Sequence, residues 1–165
     1  MLINKQWLED YVKIPESLSP QELSDLLTTR VVEIEGFQDG AEILANIFVG
    51  RVLSIQKHPN ADKLNICTVE FGQVNPAQVG CGGSNGTGGM LCAFGALGAK
   101  VRWHGEGDLI ELKKTKIRDA ESYGMICASE EIGLGEMFPK GDEKEILDLS
   151  DMNLEVGKPL AEALG

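Results

Sequence analysis

From about Ala41 to Ser129 the apolar residues come in short runs: IFVGRVLSIQ, LNICTVEFG, AQVGCGG, MLCAFGALGAKV, DLIELKKTKI and SYGMICAS. The runs are β-branched or aromatic and are separated by Gly, Pro and Asn. Short strands recurring every roughly 10 to 15 residues predict a small closed or nearly closed β-barrel. Glycines inside the runs, such as Gly50 and Gly95, suit tight bends or close backbone approach. The pattern before this region is different. A short opening strand is expected to lead into a helix carrying Trp7, Leu8 and Val12 on one face. SPQELSDLLTTR predicts a second helix, with Ser19 as N-cap, Pro20 in the first position and Glu22 completing a capping box. Its Leu23, Leu26 and Leu27 form an i, i+3, i+4 stripe that calls for burial. VVEIEGF then alternates as a strand does. After the barrel, ASEEIGLGE reads as a brief helix capped by Ser129 and stopped at Gly133 or Gly135. The tail LDLSDMNLEVGKPLAEAL returns to helix and turn.

Charge sharpens this division. The net charge is −11, but residues 1–40 hold 3 Lys/Arg against 8 Asp/Glu, residues 41–130 hold 9 against 9, and residues 131–165 hold 3 against 9. The two ends are acidic and the middle is neutral, with its cations gathered in KKTKIR at 113–118. Two structural units follow, one inserted in or bracketed by the other, and the middle is free to meet a polyanion. Cys67, Cys81, Cys92 and Cys127 form no CxxC and each lies in an apolar run, so they read as reduced, buried thiols. No apolar run approaches the roughly 20 residues of a spanning helix. The start lacks the basic and apolar regions of a signal peptide, so a cytoplasmic location is the expectation.

Three stretches are candidates for chemistry. In HPNADKL, His58 and Asp62 lack a persuasive third metal ligand. Pro59, Asn60 and Asp62 favour a shaped corner instead, with Lys63 at its mouth. GCGGSNGTGG is rich in glycine but contains neither GxxxxGK[ST] nor GxGxxG, so it predicts a strand connection in which Asn85 offers an exposed amide. In IELKKTKIR, a single strand over 110–117 would put Ile110, Leu112, Lys114 and Lys116 on one face, with Glu111, Lys113, Thr115 and Ile117 on the other. On charge alone this is a solvated edge strand whose lysines discourage aggregation. The functional alternative is a phosphate-contacting rim.

HPNADKL, then VGCGGSN, then LKKTKIRDAESYGMICASEEIGL resemble, in order and spacing, the tRNA-binding OB-fold module named after endothelial monocyte-activating polypeptide II. The flanks, with WLEDYV, the capped helix and VVEIEG, resemble the start of the phenylalanyl-tRNA synthetase beta-subunit family. The resemblance implies an α+β chain: a five-stranded OB-fold barrel over 41–135 inserted into a small, truncated α/β domain. That domain's first half is 1–40, and its second half starts at 136–165. It also implies a longer parent that joins phenylalanine to its tRNA with ATP and Mg²⁺, both bound elsewhere, and that pairs with an alpha subunit. No nucleophile–base pair is present, so the segment itself is expected to be non-catalytic, without cofactor, metal, membrane or DNA. The residues implied for weak, shape-based tRNA contact are Lys113, Lys114, Lys116 and Arg118 on phosphates, Asn85 and Ser122 on sugar or base edges, and Lys63 extending the rim. Asp119, where the family usually has glycine, puts an acid beside Arg118. Rival readings are an architectural module without RNA contact and a free-standing tRNA-binding OB protein. The first is separated by tRNA titration, and the N-terminal helices argue against the second.

Overall fold

The computed structural model describes residues 5–37 and 39–164. It divides into two compact units, Met1–Asp39 and Gly40–Gly165. In the first, α1 (Lys5–Glu9) carries a Lys5–Glu9 ion pair of 3.4 Å. The expected opening strand lies outside the described residues. Helix α2 (Pro20–Arg30) starts as its sequence predicts. The Ser19 backbone N–H donates to the Glu22 carboxylate at 2.9 Å, and the Glu22 N–H donates to Ser19 Oγ at 3.3 Å. The Ser19 N–H, together with the Ser19 hydroxyl that donates to the same carboxylate at 2.8 Å, holds the Glu22 carboxyl below its usual range. None of the α2 residues is buried, so the leucine stripe is not covered as expected. VVEIEGF is not a strand either. The Val32 N–H returns to Leu27 O, and the Ile34 N–H is taken by the Thr28 hydroxyl at 3.1 Å, so donors a sheet would need are spent on the helix end.

The second unit opens with α3 (Gly40–Ile43) and then forms β1 (Ile47–Lys57), β2 (Asn65–Glu70), β3 (Ala77–Cys81) and β4 (Leu91–Gly95). Five short strands follow: β5 (Lys100–Arg102), β6 (Leu109–Glu111), β7 (Thr115–Ile117), β8 (Ala120–Ser122) and β9 (Met125–Ile126). The main antiparallel sheet has the order β3-β2-β1-β4-β9. The long β1 serves two partners: Ile47–Arg51 pairs with β4, and Arg51–Lys57 pairs with β2. A register shift between Val52 and Ser54 marks a bulge, which bends the strand and tightens its twist. Residues 122–123 then bridge back to β3. The Tyr123 N–H donates to Gln78 O at 2.9 Å, and the Gly80 N–H donates to Ser122 Oγ at 3.2 Å. The result is a nearly closed five-stranded antiparallel barrel with few helices, in keeping with the expected OB fold.

Alternation assigns the two faces of this sheet to two cores. Val52, Val69, Val79, Cys92, Phe94 and Ile126 fill one. Ile47, Val49, Ala93 and Val101 fill the other, where Leu147, Leu149 and Leu160 from the tail cover them. The tail is stitched down by backbone bonds from Leu149 N–H to Leu91 O and from Gly157 N–H to Val49 O. Burial on both faces explains why β4 reads as an unbroken apolar run. The four cysteines are buried free thiols. The neighbouring Cys67 thiol lowers Cys81, while burial pushes Cys92 up to about 12.

Two expectations near the end of the barrel need correction. The strand proposed over 110–117 is broken at 112–114, because β6 pairs with β5 and β7 with β8. Leu112 packs against the core beside Gly95, and its backbone bonds Ala99 and Gly98, which pins the chain where the alternation should have continued. The brief helix is a 3₁₀ turn over Glu130–Ile132, ended by Gly133 at φ 75°. Ser129 does not cap it, since its backbone is already helical. The Ala128 N–H is taken by the Glu131 carboxylate at 2.8 Å instead.

Gly50 stands where packing leaves no room for a side chain. A Cβ there would lie 2.8 Å from Val69 Cγ1 and 2.9 Å from Phe94 Cβ. Gly50→Ala should therefore destabilise the barrel by about 1–3 kcal/mol through overpacking. A denaturant midpoint equal to that of the parent protein would show that β1 can move away from both neighbours.

Candidate nucleic-acid interface

The cationic stretch is a hairpin. Thr115 pairs with Ser122, Lys116 with Glu121 and Ile117 with Ala120, and Arg118–Asp119 make the two-residue turn. Both turn residues have positive φ, 44° and 74°, as a type I′ turn requires. Glycine is favoured at such a turn, and Asp is one of the few other residues that tolerate it.

Alternation in the hairpin separates a docked face from a solvent face. Ile117 sits over Gly80, with its Cδ1 3.1 Å from where a Cβ would stand, and Ser122 is buried. Ser122 Oγ accepts from the Gly80 N–H and donates to Gly124 O at 3.0 Å. Gln78 Nε2 donates to Glu121 O at 2.9 Å. The third tie comes from the HPNADKL corner. His58 is buried; its Nδ1 accepts from the Asn60 N–H at 3.1 Å, so its Nε2 carries the proton and donates to Ile117 O at 3.0 Å. His58 is thus a strap that fixes the corner to the hairpin. The shaped corner read from the sequence is present, with Lys63 exposed on it.

Lys114, Lys116 and Glu121 occupy the solvent face. Lys114 Nζ is 2.9 Å from Glu121 and stands 4.9 Å over the Tyr123 ring. Lys116 Nζ is 3.9 Å from Asp119. Tyr123 first and Lys114 second hold the Glu121 carboxyl below its usual range, and Glu121 raises Lys114. Lys113 and Arg118 are exposed, with no ion pair among the described residues. Four cations set against Asp119 and Glu121 leave the hairpin at +2 on a protein of −11.

The other predicted contacts lie elsewhere. Asn85, expected as an exposed amide, has both ends engaged: its Nδ2 donates to Ile146 O, and its Oδ1 accepts from the Ile146 N–H, each at 2.9 Å. The Ser122 hydroxyl is enclosed as described. The first half of the glycine-rich stretch is explained by packing, since Gly80 accommodates Ile117, Gly82 Leu64 and Gly83 Ile146, whereas Gly88 and Gly89 face open space and Gly89 takes a positive φ of 87°. Sequence reasoning missed the tie of His58 and the framing of Lys114 by Glu121 and Tyr123. Both depend on residues far apart in sequence or brought together by the turn.

A family model described as "Putative tRNA binding domain" matches residues 47–159. Phenylalanine–tRNA ligase beta subunits are similar along nearly the whole chain. That of Halalkalibacterium halodurans is 34% identical over 99% of this chain and 20% of its own length. The Synechocystis protein is 36% identical over 100% and 19%, and that of Staphylococcus aureus is 36% identical over 92% and 18%. The chain therefore spans about a fifth of the length of these curated relatives. Because the match runs through the barrel, the strapped corner and the cationic hairpin together, this chain belongs to the tRNA-binding domain family.

Proposed function

We propose that this chain is the N-terminal, tRNA-contacting region of a cytoplasmic phenylalanine–tRNA ligase beta subunit, and that it contributes weak, shape-based RNA contact without chemistry of its own. The observation that carries this reading is the hairpin: a cationic solvent face held on a rigid barrel by His58, Gln78 and Ser122. Lys113, Lys114, Lys116 and Arg118 meet phosphates, and Lys63 extends the rim from the strapped corner. Asn85 and Ser122 serve by holding the frame. The aminoacylation of the parent, with its ATP, Mg²⁺ and alpha-subunit partner, is assigned to other parts of that enzyme. Among the described residues, no three His, Cys, Asp or Glu side chains are grouped to hold a metal ion, and no helix is long and apolar enough to cross a membrane.

The domain reading is also proposed: 1–40 as the first half of a small α/β domain, 41–135 as the OB module, and 136–165 as the start of the second half. It is supported by the apolar surface left open in the first unit, where Trp7, Tyr11, Val31 and Val32 are exposed and α2 buries nothing. The same surface favours a second reading, an architectural module that holds domains together without RNA.

Titration with tRNA separates the two. Three or four neutralised phosphates predict a roughly 40- to 150-fold loss of affinity between 50 and 200 mM salt. The Lys113→Glu/Lys116→Glu variant should bind at least about tenfold more weakly at low salt and lower the salt slope by about two. Equal affinity and slope would leave the architectural reading standing. Asp119→Gly should act in the opposite direction. It removes the carboxylate beside Lys116 and relieves a left-handed backbone, so tRNA binding should tighten a few-fold and stability should rise by up to about 1 kcal/mol. Asn85→Ala should cost about 1–3 kcal/mol by stranding the Ile146 backbone, while the folded fraction keeps its tRNA affinity.

A further inference from the structure

Beside the hairpin lies an open cavity of about 490 Å³, within the roughly 300–1,000 Å³ usual for small-ligand sites. Its walls are mostly apolar and include Phe71, Pro76, Leu97 and the Tyr123 ring. Three side-chain amides, Gln73, Asn75 and Gln78, also line it, and no charged residue does. We propose that this cavity takes one unstacked nucleobase of the bound RNA, with Tyr123 joining it to the phosphate contact at Lys114. The inference rests on the hairpin's being an RNA contact and adds a base subsite to it.

The walls are held in place from behind. Phe71 packs on Phe94 with ring centroids 4.5 Å apart and on Phe48 at 6.1 Å. Tyr123 is fixed by its N–H bond to Gln78 O, by its hydroxyl on Glu121, and by Lys114 over its ring. Rigid aromatic platforms lose little freedom when a flat ligand stacks on them. Gln78 has its Nε2 committed to Glu121 O, so its Oε1 is an acceptor with no partner among the described residues. Gln73 and Asn75 make no side-chain hydrogen bond among the described residues, leaving donors and acceptors of both kinds. A neutral, flat heterocycle with polar edges satisfies both the walls and the amides, whereas a purely hydrocarbon ligand would leave the amides unmatched. The charge arrangement selects the same class. The cavity is neutral, but the cation over Tyr123 marks where the phosphate of the same nucleotide would lie. Base recognition in single-stranded RNA combines these elements: a ring to stack on, amides for the base edge and a cation for the backbone.

The test uses the full chain and two strands at about 50 mM salt: a mixed-sequence RNA ten-mer, and an abasic ten-mer with the same number of phosphates. The pocket predicts that the base-bearing strand binds about 5- to 150-fold more tightly, the range expected for one stacked base. Leu97→Trp and, independently, Asn75→Trp fill the cavity from exposed positions. Each should abolish that preference and leave the salt slope unchanged, whereas Lys113→Glu/Lys116→Glu should lower the slope and keep the preference. Salt-dependent binding that is blind to bases overturns the pocket alone, as does a preference that survives both tryptophans. Failure of both strands to bind overturns the hairpin reading and the pocket with it.

Discussion

The Gly40–Gly165 unit depends on the pairing of β1 with β4, a strand pair buried on both faces. Gly50 and Gly95 lie in this pair, and side chains from other parts of the fold occupy the space their own would need. Val69 and Phe94 press on Gly50; Leu112 and Cys127 press on Gly95. Apolar burial on two sides gives the pair more contact than a surface sheet receives. The bulge after Val52 then turns β1 toward β2 and β3, and β3 is the platform on which the cationic hairpin rests.

The hairpin by itself has few means of standing. Two three-residue strands and a two-residue turn are marginal in water. It is held because its inner face is tied at three points to two separated parts of the chain: His58 of the corner on Ile117, and Gln78 and Gly80 of β3 on Glu121 and Ser122. Side chains that read from sequence as candidates for RNA contact divide accordingly. Those pointing out of the hairpin are available to solvent, and those pointing in are consumed by the scaffold.

Strands β1 to β4 were legible because each lies in a short apolar run ended by a turn residue. The α2 cap was legible because Ser19 and Glu22 act within one turn. The hairpin's charge was plain from KKTKIR. Less visible was the interruption at 112–114, since alternation carries no information about which side chain the core will draw in, and there it drew in Leu112. Asn85 looked free because its partner, the backbone of Ile146, is sixty-one residues away. VVEIEGF has the period of a strand, but a period does not supply a neighbouring edge.

Glu121 gives the surface an internal competitor. Its carboxylate already occupies the ammonium of Lys114 and faces Lys116 across the hairpin. An incoming polyanion must exchange places with a group that is tethered a few ångströms away and never diffuses off. Such built-in rivalry weakens the hold of this face on any polyanion that meets it.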